Sequence, residues 1–291
     1  MSGIAPATVG EFVREGVRRM SAAGVSNAAW EAQEMMAAAL GDSKVLVPLH
    51  YRDILSLDRL AAWESLVSGR CARRPLAHLL GEWDFDGLRL VVRPGVLVPR
   101  PETEELLEFV VQKLKERGGA AASVLSAADI GTGSGCLAVA MAKRWPRALV
   151  WAVDVSATAL AVARRNAEVH GVARRIFFLV GDLMTRLSGG LHLDVVVANL
   201  PYVDEEEMPF LDPEVRREPS LALNGGRGGL DLIRRLIVQA RERLSAGGRL
   251  FLEIGHDQAA AVTGFLRDQG FREIETGRDS AGIERFVMGG L

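Results

Sequence analysis

The stretch "SVLSAADIGTGSG" (123–135) runs from small and apolar residues into glycines at alternate positions, Gly131, Gly133 and Gly135. Followed by "CLAVAMAKRWP", it is predicted as a strand, a tight loop and a helix. Glycine lets the backbone come close to a ligand, and a helix start there leaves N–H groups directed at an anionic group. The same alternation continues downstream. "ALVWAVDVS" and "ATALAVARRNAEVHG" read as strand and helix, "RIFFLVGD" and "LDVVVANLPY" as strands, and "GLDLIRRLIVQARERLSAGG" as a helix. "RLFLEIG" and "DQAAAVTGFLRDQG" repeat the unit, and "FREIETGRD" and "GIERFVMGG" are terminal strands. Strands alternating with helices imply an α/β fold with a doubly wound, Rossmann-like, parallel sheet. Ligands in such sheets sit at the carboxyl ends of the strands near the switch point. The glycine loop, Asp154, Asp182 and Asn199 all fall at strand ends and are expected on one rim.

Upstream, the chain reads as helices. "TVGEFVREGVRRMSAAG" opens with Thr8 and Glu11 in capping-box spacing and sets Phe12, Val13, Val17 and Met20 on one side. "SNAAWEAQEMMAAALG" and "SLDRLAAWESLVSGRCAR" supply two more, with Trp30, Met35, Met36 and Trp63 expected in the core. From Pro75 apolar and polar residues alternate around Asp86–Gly87, a hairpin signal. "PETEELLEFVVQKLKERGG" is then a helix entered through Pro101 and left at Gly118–Gly119. The expected organisation is a helical domain over 1–74, a β-hairpin connector over 75–100 and an α/β domain over 101–291.

Composition narrows the classes, weakening a nucleic-acid substrate without excluding it. Of 291 residues 48% are hydrophobic and 25% charged, which marks a globular chain and not a disordered one. Basic and acidic residues number 35 and 37, so the surplus that a nucleic-acid backbone calls for is missing. Two cysteines, Cys71 and Cys136, lie far apart, and neither they nor the five histidines have metal-ligand spacing. The start "MSGIAPATVGEFVREG" lacks the features of a signal peptide, and no run of apolar residues is long enough to span a bilayer. A cytoplasmic, monomeric protein is expected.

Asp154 follows Gly133 at a distance that suits a carboxylate accepting the hydroxyls of an adenosine ribose. An N-cap for the next helix is the structural alternative. The dinucleotide fingerprint places its third glycine three residues after the second, whereas Gly135 comes two after Gly133. The shorter form, with Asp129 just before it and Asp182 ending another strand, resembles the S-adenosylmethionine-dependent methyltransferases. That resemblance implies that Gly131, Thr132, Gly133, Ser134 and Gly135, with Asp154, Asp182, Leu183 and Asn199, bind S-adenosyl-L-methionine, which leaves as S-adenosyl-L-homocysteine. Asp182 and Leu183 would flank the adenine.

The run "LDVVVANLPYVD" (193–204) ends an apolar strand on Asn199, Leu200, Pro201 and Tyr202. An NH2 group has two donors, and the Asn199 side-chain oxygen with the carbonyl of residue 200 can accept both. The amine lone pair is then left facing a methyl donor, and orientation of this kind lowers a barrier by several kcal/mol. A strand-exit turn is the structural alternative, since Asn and Pro punctuate turns. The tetrad resembles the [N/D]-P-P-[Y/F] motif of methyltransferases acting on planar nitrogens, and "NLPY" also that of ribosomal RNA adenine dimethylases.

Four further segments are more specific. "PLAHLLGEWDFDGLRLVVRPGVLVPRPETEELLE" (75–108), "EPSLALNGGRGGLDLIRRLI" (218–237), "FLEIGHDQ" (251–258) and "DSAGIERFV" (279–287) resemble the PrmC/HemK family. That family methylates the side-chain amide (N5) of the glutamine in the Gly-Gly-Gln motif of class I peptide-chain release factors. The resemblance implies that Asn199 and Leu200 hold the glutamine amide, that Pro201 and Tyr202 shape its pocket, and that Arg100, Glu102 and Thr103 stand nearby. It also implies release-factor recognition by the helical domain. Leu200 replaces the family's second-position proline; its carbonyl is retained, and Pro201 still biases it toward extended backbone. A nucleic-acid adenine N6-methyltransferase, and a cofactor-binding protein that docks on release factors without turnover, are the alternatives. The segment 203–219, "VDEEEMPFLDPEVRREP", reads as an acidic lid or a solvated loop.

Overall fold

The structure, a computed structural model, describes residues 7–116 and 125–291, so the predicted helix stop at Gly118–Gly119 lies outside the described residues. The chain divides into two units, the first running to Gly81 and taking in Asp212–Arg217, the second containing the rest. The first is built from helices α1 (Val9–Ala22), α2 (Ala28–Leu40), α3 (Leu57–Cys71) and the short α4 (Leu76–Leu80). Thr8 and Glu11 form the expected capping box, with the Thr8 N–H donating to the Glu11 carboxylate at 2.7 Å. Met20, Met35, Met36 and Trp63 are buried. Trp30 is not a core residue: it is 45% exposed, with the Lys44 ammonium 5.2 Å from its ring. Ala28, Ala32, Met35 and Met36 make the buried face of α2, and position 30 projects from the opposite side of a 3.6-residue helix. Inside this unit the buried Arg70 guanidinium pairs with Glu31 and with Glu214, and Glu214 also accepts from Arg73. The acidic stretch 203–219 is therefore split, its middle belonging to the helical unit and its ends to the other.

The second unit opens with a hairpin, β1 (Glu82–Phe85) and β2 (Leu88–Val91), whose turn residues Asp86 and Gly87 both have positive φ. Helix α5 (Pro101–Glu116) follows, then β3 (Ser126–Ile130), α6 (Cys136–Arg144), β4 (Leu149–Asp154), α7 (Ala157–Val169), β5 (Ile176–Val180) and β6 (Leu193–Ala198). The last elements are α8 (Asp231–Arg243), β7 (Leu244–Glu253), α9 (Ala259–Asp268), β8 (Ile274–Arg278) and β9 (Glu284–Gly290). Among the described residues seven strands form one sheet in the order β5-β4-β3-β6-β7-β9-β8. The sheet is not wholly parallel: β9 runs antiparallel to both its neighbours. Only a short turn joins β8 to β9, and a parallel connection would need a crossover of a dozen residues or more.

Both faces of the sheet are covered, which is why its central strands read as continuous apolar runs. Val195 and Val197 join the cluster under α5 and α6, while Val196 and Ala198 join the cluster under α8 and α9. Each fully buried valine there contributes roughly 1.5–3 kcal/mol. Among the described residues no helix is long and apolar enough to cross a membrane.

A buried amide fastens the hairpin to this body. Asn166, on α7 and fully buried, accepts from the Val91 N–H at 2.7 Å and donates to the carbonyls of Val91 (2.9 Å) and Ser134 (2.8 Å). Asn166→Ala removes all three bonds and leaves buried backbone groups unpaired, so urea unfolding should show a loss of about 2–4 kcal/mol.

Candidate active site

The winding of the sheet reverses at β3, which has β4 on one side and β6 on the other. Ile130 is the register partner of Ala198, so the glycine loop after β3 and the tetrad after β6 leave the sheet side by side. Ala198 in turn pairs with Leu252, which sets Glu253 beside Asn199. The strand order therefore lays Asp182, Asp154, Gly131, Asn199 and Glu253 along one rim, at the place where open α/β sheets bind ligands.

The loop is held from beneath by Asp129. This buried carboxylate accepts from the Thr132 hydroxyl (2.6 Å) and from the Ala138 N–H (3.0 Å), and burial pushes its pKa up to about 7. The backbone N–H groups of the loop are directed differently from the sequence expectation. Those of Gly131 and Thr132 donate to the Val153 carbonyl, that of Gly133 to Asp154 Oδ2 (2.9 Å), and that of Gly135 to the Thr132 carbonyl. The glycines thus serve to reach positive φ, from +55° to +80°, and to keep the loop open. A Cβ on Gly133 would meet no atom closer than 3.9 Å.

Asp154 is not the N-cap of α7; Ser156 is, its hydroxyl accepting from the Ala159 N–H at 3.1 Å. Asp154 Oδ1 accepts from the Ser156 N–H (2.8 Å) and Oδ2 from the Gly133 N–H, and a carboxylate with its four lone-pair sites keeps capacity for a ligand. Burial raises its pKa, while the backbone donors favour the anion. A pair of hydroxyls can add to such a group. Asp182 is more exposed and is ion-paired with Arg235, and the buried Leu183 behind it takes a left-handed φ of +51°.

A pocket lined by Arg100, Thr103, Gly131, Thr132, Ser134 and Asn199 lies between the loop and the tetrad. An open loop, a ribose-competent carboxylate and this pocket suit the adenosyl and methionyl parts of S-adenosylmethionine. Cys136 also lines the pocket, but desolvation and the Asp129 charge push its thiol pKa up and keep it neutral. Among the described residues no group of three or more His, Cys, Asp or Glu side chains is placed to hold a metal.

Around the tetrad, Asn199 Nδ2 donates to Thr103 Oγ1 at 2.9 Å. Leu200 is buried, its side chain lying over Gly131. Tyr202 opens onto a neighbouring pocket with Asp204, Glu207, His256 and Arg285, and its hydroxyl donates to Glu253 at 3.3 Å. Arg100 pairs with the buried Glu218, whose other oxygen accepts from the Val98 N–H (2.8 Å). Glu102 stands close enough for its charge to raise the pKa of both Tyr202 and Glu253. The tetrad also leans on the glycine-rich stretch after Glu218. The Val203 N–H donates to the Leu223 carbonyl (3.0 Å) and the Gly225 N–H to the Val203 carbonyl (2.8 Å), and a Cβ on Gly225 would lie 2.6 Å from the Pro201 carbonyl oxygen.

Sequence reasoning brought the loop with Asp129 ahead of it, Asp154, Arg100, Thr103 and the tetrad to this rim, but overlooked Glu218 and Glu253. Glu253 had a signal: it ends the apolar run of a strand, as Asp154 does. Glu218 had none, because what marks it is burial among partners remote in sequence.

The PrmC N-terminal domain family matches residues 11–81, and the Methyltransferase small domain family residues 103–211. A release factor glutamine methyltransferase of Geobacter sulfurreducens is 42% identical over 267 residues, 91% of this chain and 90% of that protein. One of Bordetella pertussis is 40% identical, over 90% of this chain and 94% of its own length. The chain belongs to the release factor glutamine methyltransferase family. The cofactor is S-adenosylmethionine. Among solved structures, the hMettl16 catalytic domain aligns with a TM-score of 0.58 at 17% identity, covering 77% of this chain and 81% of that one. A methyltransferase of Pyrococcus furiosus aligns with a TM-score of 0.50 at 18% identity, over 70% and 89%. At these identities the likeness is one of fold.

Because backbone oxygens crowd Gly225 on two sides, a methyl group there has to displace the tetrad. Gly225→Ala should lower the methyl-transfer rate by about 100-fold. The affinity for S-adenosylmethionine, read by calorimetry, should stay near the wild-type value.

Proposed function

We propose that this protein transfers a methyl group from S-adenosylmethionine to the side-chain N5 of the glutamine in the Gly-Gly-Gln motif of class I release factors. The reading is supported chiefly by the identity of 42% to a relative of that name over nine-tenths of both chains. It is supported as well by an asparagine at the switch point whose Nδ2 is engaged by Thr103, leaving Oδ1 for a substrate N–H.

In this reading Asn199 Oδ1 and the Leu200 carbonyl accept the two amide protons of the glutamine. Their placement turns the nitrogen lone pair out of the acceptor plane and toward the pocket beside Gly131. Pro201 and Tyr202 wall the amide, and Tyr202 keeps its proton because burial and Glu253 push its pKa well up. Bound S-adenosylmethionine supplies an electrophilic methyl group, held by the glycine loop with Asp154, Asp182 and Leu183. No general base is required before the bond forms, since an amide held in this geometry loses its proton from the product. Leu200 stands where the family resemblance has proline; the acceptor is a main-chain carbonyl, and Pro201 keeps residue 200 extended.

The helical domain is proposed as the release-factor recognition element. Val45, Leu49 and Leu57 are each more than 75% exposed on that unit, and exposed apolar residues of this size suit a protein partner. The enzyme is proposed to act as a cytoplasmic monomer, on protein and not on nucleic acid, in keeping with its formal net charge of −2.

Labelled S-adenosylmethionine, a purified class I release factor, its Gly-Gly-Ala variant and ribosomal RNA test the proposal together. Label should enter the wild-type factor alone and map by mass spectrometry to the motif glutamine; label on RNA alone overturns it. Asn199→Ala should lower the rate by about 100-fold or more, a loss that saturating S-adenosylmethionine does not restore. Asp154→Ala should instead weaken S-adenosylmethionine binding by about tenfold or more, the equivalent of one charge-assisted pair.

A further inference from the structure

We propose that Glu253 is a positioning residue that acts through Thr103 to hold the Asn199 amide with its oxygen toward the substrate nitrogen. The inference rests on the function proposed above. Thr103 Oγ1 donates to Glu253 Oε2 at 2.8 Å and accepts from Asn199 Nδ2 at 2.9 Å, and Tyr202 donates to the other oxygen of Glu253. Glu253 is 1% exposed and Thr103 2% exposed, so bulk water does not offer substitutes for these partners.

The direction of the chain follows from proton count. A threonine hydroxyl has a single proton. A carboxylate is acceptor-only, so beside Glu253 that proton points at Oε2, and Thr103 can then only accept from Asn199. An amide turned end for end would bring its oxygen to a hydroxyl that has nothing to donate. The Asn199 oxygen is therefore kept on the substrate side, where the glutamine amide needs an acceptor. A glutamine at 253 removes the constraint, because its NH2 can donate to Thr103 and free the hydroxyl proton for the Asn199 oxygen.

The device is sensitive to pH. Desolvation pushes the Glu253 pKa up to about 7, with the Glu102 charge on α5 adding to the rise; the bonds from Thr103 and Tyr202 and the Arg285 charge on β9 oppose it. The Cys136 thiol faces Glu253 from α6 and is neutral. Protonation of Glu253 at low pH makes it a donor and releases the Thr103 hydroxyl, so the wild-type rate should climb as pH rises through about 7 and then level.

Methyl transfer to a class I release factor is measured for the full chain and for Glu253→Gln, Thr103→Val and Thr103→Ser across the pH range around neutrality. S-adenosylmethionine affinity and thermal melting are followed in parallel. Glu253→Gln is expected to lower kcat by about tenfold or more, to flatten the pH profile, and to change cofactor affinity by less than about twofold. Thr103→Val should reproduce the loss of kcat, and Thr103→Ser, which keeps the hydroxyl, should restore most of it. A Glu253→Gln enzyme with wild-type kcat and pH profile overturns the proposal. If that variant does not fold, Thr103→Val decides: wild-type kcat overturns the proposal, and a loss that Thr103→Ser rescues upholds it. A wild-type enzyme that labels no release factor counts against the proposed function instead, and is distinguished by the wild-type arm alone.

Discussion

Everything at the rim depends on the parallel pairing of β3 with β6. The two strands meet over Ala127–Ile130 and Val195–Ala198, and the chain leaves β3 on one side of the sheet and enters β6 from the other. Helices cannot cover the gap between connections that diverge in this way, so a crevice opens at the carboxyl ends. The glycine loop and the tetrad are the first residues beyond those ends. Their adjacency is a property of register, and a slip of one residue would turn every side chain on the strand to the opposite face.

The rim concentrates carboxylates in places of different solvent access, and access sets what each can do. Asp182 stands in solvent, paired with Arg235. Asp154 is partly covered and retains lone pairs for a ligand. Asp129 and Glu253 are enclosed, with pKa values near 7, and both use their oxygens to order hydroxyl and N–H groups around them. Burying a charge is costly unless hydrogen bonds offset it, and here the donors are Thr132 and Ala138 for one, Thr103 and Tyr202 for the other. Such groups stiffen a site through the neighbours they order.

Support for the tetrad comes from segments that have no regular structure. The stretch around Gly225 adds backbone hydrogen bonds behind Val203, and Glu218 ties Val98 to Arg100 just ahead of α5, the helix that carries Thr103. The hairpin is secured in the same manner, through Asn166. In the last two cases one buried polar side chain answers two groups of a distant segment. This is how irregular chain acquires a single conformation without a ladder of its own.

Local chemistry made much of this legible in the residues themselves. Apolar runs of strand length, separated by helices of amphipathic period, point to a mainly parallel sheet covered by helices, because that arrangement buries both kinds of element. Asp86–Gly87 specifies a hairpin turn, Thr8 and Glu11 specify a helix start, and the alternating glycines specify a loop that a ligand can approach. What depends on partners far away in the chain was decided by the tertiary structure alone. The direction of β9, the outward face of Trp30, the inward use of the loop N–H groups and the engagement of Asp182 by Arg235 all belong here. So does the line from Asn199 through Thr103 to Glu253, whose members lie as much as 150 positions apart. Sequence determines which groups a segment can offer; only packing determines which of them are left without water and must answer to one another.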